Sequence, residues 1–91
     1  IYSLPESEMD DSPDEDPDTE GLGMETLLSF IRKLPPGYRA VFNLFVIEEK
    51  SHKEIAEILQ IQPATSASQF LRARKLLAEM IREYKHQMEN R

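Results

Sequence analysis

The run Ser51-His52-Lys53-Glu54-Ile55-Ala56-Glu57-Ile58-Leu59-Gln60-Ile61-Gln62-Pro63-Ala64 decides the fold. Ser51 and Glu54 make a capping box. The serine oxygen accepts a backbone N–H of the first helical turn, and the glutamate reaches back to the serine's own N–H. Ile55, Ala56 and Leu59 then fall on one face at helical spacing. The helix is short and ends near Gln60. After Ile61-Gln62, Pro63 opens another helix, at the position where its missing N–H costs nothing. A short capped helix, a tight turn and a longer helix make a helix-turn-helix. In the DNA-binding version the second helix lays its N-terminal turns in the major groove.

Outward from that motif the pattern remains helical. The last helix continues to about Gln87, with Phe70, Ala73, Leu77, Met80, Ile81 and Tyr84 as its buried stripe. Upstream, a first helix is expected from about Met24 to Lys33, with Leu27, Leu28 and Ile31 on one face. Pro35-Pro36-Gly37 ends it. A second helix follows from about Gly37 to Glu49, with Tyr38, Val41, Phe42 and Phe45 at i, i+3, i+4 and i+7. Leu44 and Ile47 point away from that stripe, so this helix is apolar nearly all round. Such a helix either sits at the centre of a core or offers a second face to a partner. The fold class is all-α: a small helical bundle carrying a helix-turn-helix without a wing.

Charge divides the chain. Residues 1–26 hold ten acids and no base, whereas residues 27–91 hold seven acids against eleven bases, a net +4. The overall −6 therefore hides a basic module behind an acidic segment. With Pro5, Pro13 and Pro17 among its acids and serines, that segment buries too little apolar surface to offset its ordering entropy. Residues 1–23 are expected to be a mostly disordered interdomain linker and 24–91 the folded domain. Ile1 is not a natural start, and a preceding N-terminal part is expected. Asp14, Asp16, Asp18 and Glu25 match positions one, three, five and twelve of a calcium-binding EF-hand loop. Thr19 occupies the position that needs glycine, Pro17 interrupts the loop, and no helix precedes it, so calcium is not expected.

Several functions are excluded. Ninety-one residues make one small domain and leave no room for a large layered active site. Without cysteine there is neither a disulfide nor a thiolate zinc site. The longest apolar run, Leu44 to Ile47, is far short of the ~18 residues of a membrane span. No secretion signal opens the chain, so a cytoplasmic protein without membrane contact is expected. His52 and His86 have no paired acid motif, and Ser66 and Ser68 have no histidine and acid arranged for nucleophilic catalysis. Neither an enzyme, a cofactor, a metal nor a small-molecule substrate is expected.

At about 100° per residue, the buried stripe of the last helix leaves Ala64, Ser68, Leu71 and Lys75 on the opposite face, flanked by Ala67 and Arg72. Small side chains at Ala64, Ala67 and Ser68 allow close approach to base edges. Ser68 can hydrogen-bond and Leu71 can pack on a thymine methyl. Arg72 and Lys75 are placed for phosphates, which set register and much of the salt-dependent affinity. Ser51, His52 and Lys53 sit where the supporting helix can touch phosphates, with Ser51 primarily a cap.

Three runs carry a resemblance. Leu34-Pro35-Pro36-Gly37-Tyr38-Arg39-Ala40-Val41-Phe42 looks like the opening of region four of the extracytoplasmic-function (ECF) sigma factors. Ser51 to Leu59, then Thr65-Ser66 and Arg72-Ala73-Arg74-Lys75-Leu76-Leu77, continue it in order and spacing over about residues 24–85. The resemblance implies a bacterial transcription initiation factor whose region four docks on core RNA polymerase and reads the upstream (minus-35) promoter element. It implies a DNA-backbone contact at Arg39 and an anti-sigma factor as partner. Leu44 and Ile47 are the candidates for contact with that factor or with the polymerase. The acidic segment resembles the linker between regions two and four. The family often carries a basic residue where Ala67 and Gln69 stand here, so weak DNA binding that depends on polymerase is expected. Two alternatives stay open: a stand-alone helix-turn-helix transcriptional regulator, expected to dimerise on palindromic DNA, and a pure protein-interaction module using the second helix.

Overall fold

The computed structural model describes residues 17–89. The expected linker therefore lies outside the described residues over 1–16, as do two of the EF-hand matches, Asp14 and Asp16. Among the described residues there are helices and connections but no strand, as the sequence pattern requires. Helix α1 spans Met24–Arg32, α2 spans Pro36–Phe42, α3 spans His52–Leu59 and α4 spans Pro63–Glu89. At 27 residues, α4 is about 40 Å long and forms the spine against which the others pack.

Helix α2 does not run straight to Glu49 as the periodicity predicts. From Asn43 to Ile47 the chain widens into a π-helix, with Glu48 N–H donating to the Asn43 carbonyl five residues back at 3.1 Å. Asn43 Oδ1 within it is buried and makes no hydrogen bond. The segment stops at Glu49, whose φ of 56° is left-handed, and the Lys50 N–H closes on the Leu44 carbonyl at 2.9 Å. Widened turns of this kind collect at functional sites. Here the change of period sends Phe45 inward and leaves Val46 and Ile47 at the surface.

The main core joins α1, α2 and α4 through Phe30, Ile31, Leu34, Phe42, Ala73, Leu77 and Ile81. Phe30 meets Tyr84 edge-on with ring centroids 5.5 Å apart, which ties α1 to the far half of α4. Leu22 also packs against this core, and Asp18 forms a 3.0 Å ion pair with Lys85. The last residues of the acidic segment thus lie against the domain. The Lys85 ammonium, donating to its carboxylate, holds the Asp18 carboxyl below its ordinary 3.8, helped by the Glu20 backbone N–H.

Candidate nucleic-acid interface

The capping box forms as the sequence requires. The Ser51 hydroxyl accepts from the Glu54 N–H at 3.1 Å, and the Ser51 N–H donates to Glu54 Oε1 at 2.9 Å. That backbone N–H is the main reason the Glu54 carboxyl sits below its ordinary 4.5. Ile55 is fully buried and Ala56 nearly so, while Ile58 turns outward. Gln60 ends α3 in the left-handed conformation, at φ 61°. There the Ile61 N–H reaches the Ala56 carbonyl at 3.0 Å, the long-range bond of a Schellman turn. Only Ile61 and Gln62 remain before Pro63 starts α4.

The turn brings the first residues of α4 against α3 by polar, not apolar, side chains. Thr65 is nearly buried and Ser66 completely so. The Ser66 hydroxyl shares a 2.9 Å hydrogen bond with His52 Nδ1. The His52 ring stacks on Phe45 at 4.5 Å and 12°, and Phe45 in turn packs on Phe70 at 4.5 Å. One histidine thus joins the π segment, α3 and the start of α4. Burying a hydroxyl is costly unless it is bonded, so the His52–Ser66 bond is what allows α4 to begin this close to α3.

The candidate DNA-contacting side chains are distributed as follows. Ala64 is exposed, and Ala67, Ser68, Leu71, Arg72 and Lys75 are half-buried along the side of α4 away from its core stripe. Ser68 Oγ donates to the Thr65 carbonyl at 3.2 Å. Its hydrogen is engaged there, so toward any other group the oxygen is an acceptor. Lys53 and Ser51 are exposed at the start of α3, where helical N–H groups favour an anion. His52 is half-buried, with its ring held between Phe45 and Ser66. Arg39 Nη1 donates to the Arg32 carbonyl at 2.8 Å and so closes the end of α1. Of the two candidate partner contacts, Ile47 is 58% exposed, while Leu44 is half-buried.

Sequence reasoning passed over Ser66. The signal was present: counting back from Tyr84, Leu77, Ala73 and Phe70, the buried stripe lands on position 66. Gln69 also turns inward, toward α2: a Cβ placed on Gly37 would lie 3.5 Å from its Oε1. Among the described residues no set of His, Asp and Glu gathers as metal ligands, and no helix is long and apolar enough to cross a membrane.

A three-residue turn, a capped supporting helix and a longer helix with a small-residue leading face define a helix-turn-helix domain of the nucleic-acid-binding class. The family model for sigma-70, region 4, matches residues 24–77, which run from the start of α1 into the middle of α4. The match covers more than half of the chain, and the chain belongs to that family. This is a DNA-binding domain family and not an enzyme family. No curated protein and no solved structure matches the chain.

Proposed function

We propose that this chain is region four of an ECF-type sigma factor, which docks on bacterial core RNA polymerase and reads the minus-35 promoter element with the first three turns of α4. The observation that carries this is the leading face of α4, inside the matched region. Ala64, Ala67 and Ser68 leave the helix slim where bases would be met, and Arg72 and Lys75 follow at phosphate spacing. Ser68, presented as an acceptor, suits the amino group of adenine or cytosine. Lys53 and Arg39 supply backbone contacts from the supporting elements. The protein would act in the cytoplasm, with an anti-sigma factor competing for the surface around Leu44 and Ile47.

The test is co-purification with core polymerase, with and without the double substitution of Leu44 and Ile47 by serine. Retention that the substitution abolishes, in a chain still helical by circular dichroism, supports a polymerase-docking initiation factor. A folded chain that is never retained points to the stand-alone regulator, and a dimer on palindromic DNA would establish it. On DNA, Arg72→Ala should weaken binding and flatten its salt dependence by about one phosphate's worth. An unchanged slope removes Arg72 from the contact set.

A further inference from the structure

The π segment Asn43–Ile47 has no fully buried side chain of its own. It also carries local costs: a widened turn, the buried and unbonded Asn43 Oδ1, and the left-handed Glu49 that ends it. Its aromatic ring, Phe45, lies flat on His52 at 4.5 Å and 12° and packs on Phe70 at 4.5 Å. The start of α4 is likewise short of apolar anchors, because the side chains it buries are Thr65 and Ser66. Ser66 meets His52 Nδ1 at 2.9 Å. His52 itself stands on the first turn of α3, where the capping box fixes the backbone beneath it. Two segments with weak anchors of their own therefore meet on one ring, the first at its face and the second at its edge.

We propose that His52 is a positioning residue that couples the π segment to the leading end of α4, so that fixing either one steadies the other. This rests on the readings above for what occupies each surface, DNA on α4 and a protein at Leu44 and Ile47, but not for the tie between them. Val46 and Ile47 directly follow Phe45 and are 47% and 58% exposed. A protein that covers them where they stand holds Phe45 on His52, and through Ser66 it holds the first turn of α4. Coupling between two sites is reciprocal, so DNA on α4 steadies the π segment in return. The local costs are what leave something to gain, since a segment already locked by its own buried side chains would respond to neither occupant. The Glu48 N–H bond to the Asn43 carbonyl at 3.1 Å and the Lys50 N–H bond to the Leu44 carbonyl at 2.9 Å close the segment. Their opening therefore reports its state.

The experiment follows amide hydrogen exchange at Glu48 and Lys50 in the full chain, with the buried Ile81 reporting global opening. In the wild type both amides should exchange faster than Ile81, through local opening of the segment. Ser66→Ala, which leaves the segment itself untouched, should speed both by about a further fivefold. Phe45→Leu keeps apolar bulk but gives the ring no flat face, so in that background Ser66→Ala should add nothing at these amides. Saturation with a short mixed-sequence duplex should slow both amides about fivefold in the wild type and leave them unchanged in Phe45→Leu. If Phe45→Leu does not fold, His52→Asn takes its place, keeping a polar group near Nδ1 without the ring. Amides that respond to neither Ser66→Ala nor bound duplex, or that exchange only as fast as Ile81, overturn the coupling. So does a response that persists in Phe45→Leu, because it would then bypass His52. If no duplex binds at all, the DNA-reading assignment fails instead, and the response to Ser66→Ala alone decides the tie.

Discussion

The two halves of α4 are held by different physics. Beyond Ala73 the buried side chains are Leu77, Ala78 and Ile81, packed with Phe30, Ile31 and Leu34, and that half is stabilised by apolar area without regard to direction. Before Phe70 the buried side chains are Thr65 and Ser66, and that half is oriented by a hydrogen bond to His52 and by the ring pile of His52, Phe45 and Phe70. Apolar area supplies stability, while a directed bond supplies position. A helix that must present its first turns to a partner at a set angle needs both, and here they are separated along its length.

The largest expected effect tests the first half of that contrast. Leu77 is 1% exposed, and Leu77→Ala should cost about 2–5 kcal/mol. In a domain this small the melting midpoint then falls by roughly 10 °C or more. DNA affinity, measured by titration at a temperature where the variant is still folded, should barely change. A large loss of affinity per folded molecule would mean that the core end of α4 also orients its leading end.

Ser66→Ala should cost less in stability, about 1–3 kcal/mol, because it leaves His52 Nδ1 without its partner. Its effect on DNA affinity should exceed what the folded fraction explains. Thermal melts paired with binding isotherms separate the two quantities. Affinity that simply follows folding, as expected for Leu77→Ala, would abolish the distinction between the halves.

The supporting helix gives a smaller, pH-dependent effect. Glu54 is held below its ordinary 4.5 by the Ser51 N–H, so the charged form is favoured in the folded state. The resulting stabilisation is complete above about pH 4.5 and is lost as pH falls through the depressed value. Asp18, lowered by Lys85, acts in the same direction below its ordinary 3.8. Glu54→Gln keeps a capping-box acceptor but cannot titrate. Its midpoint should therefore decline less steeply with acid than the wild type's. Parallel acid limbs would show that the box is not formed in solution. Ser51→Ala, which removes the cap itself, should cost about 1 kcal/mol near neutral pH.

Much of this was legible before the structure. The capping box, the proline start of α4 and the buried stripe from Phe70 to Tyr84 follow from local rules that depend on few neighbours. The π segment was not legible, because Leu44, Phe45 and Ile47 satisfy an α-helical period equally well. Only packing of Phe45 against His52 and Phe70 distinguishes the wider turn. Ser66 was missed for a related reason. A buried serine reads as a break in an apolar stripe until its partner, fourteen residues away in another helix, is known. The side of α4 away from the stripe follows from the stripe by exclusion, which gives its position and not its role. How closely its side chains approach anything else is set by the turn at Gln60.

That turn yields the smallest expected effect, and one of opposite sign. Gln60 adopts φ 61° without being glycine, a conformation that costs an L-residue roughly 1–2 kcal/mol. Glycine removes that cost but loses more freedom on folding, so Gln60→Gly should stabilise by only about 0.5–1 kcal/mol, raising the midpoint by a few degrees. The Ile61 N–H bond to the Ala56 carbonyl and the His52–Ser66 bond lie on either side of the turn. If these two bonds set the angle between α3 and α4, the variant should bind DNA as tightly as the wild type. A gain in stability with a loss of affinity would instead show that the left-handed glutamine itself holds the leading end of α4 in place. The position of that half would then depend on backbone geometry at one residue and not on its polar contacts.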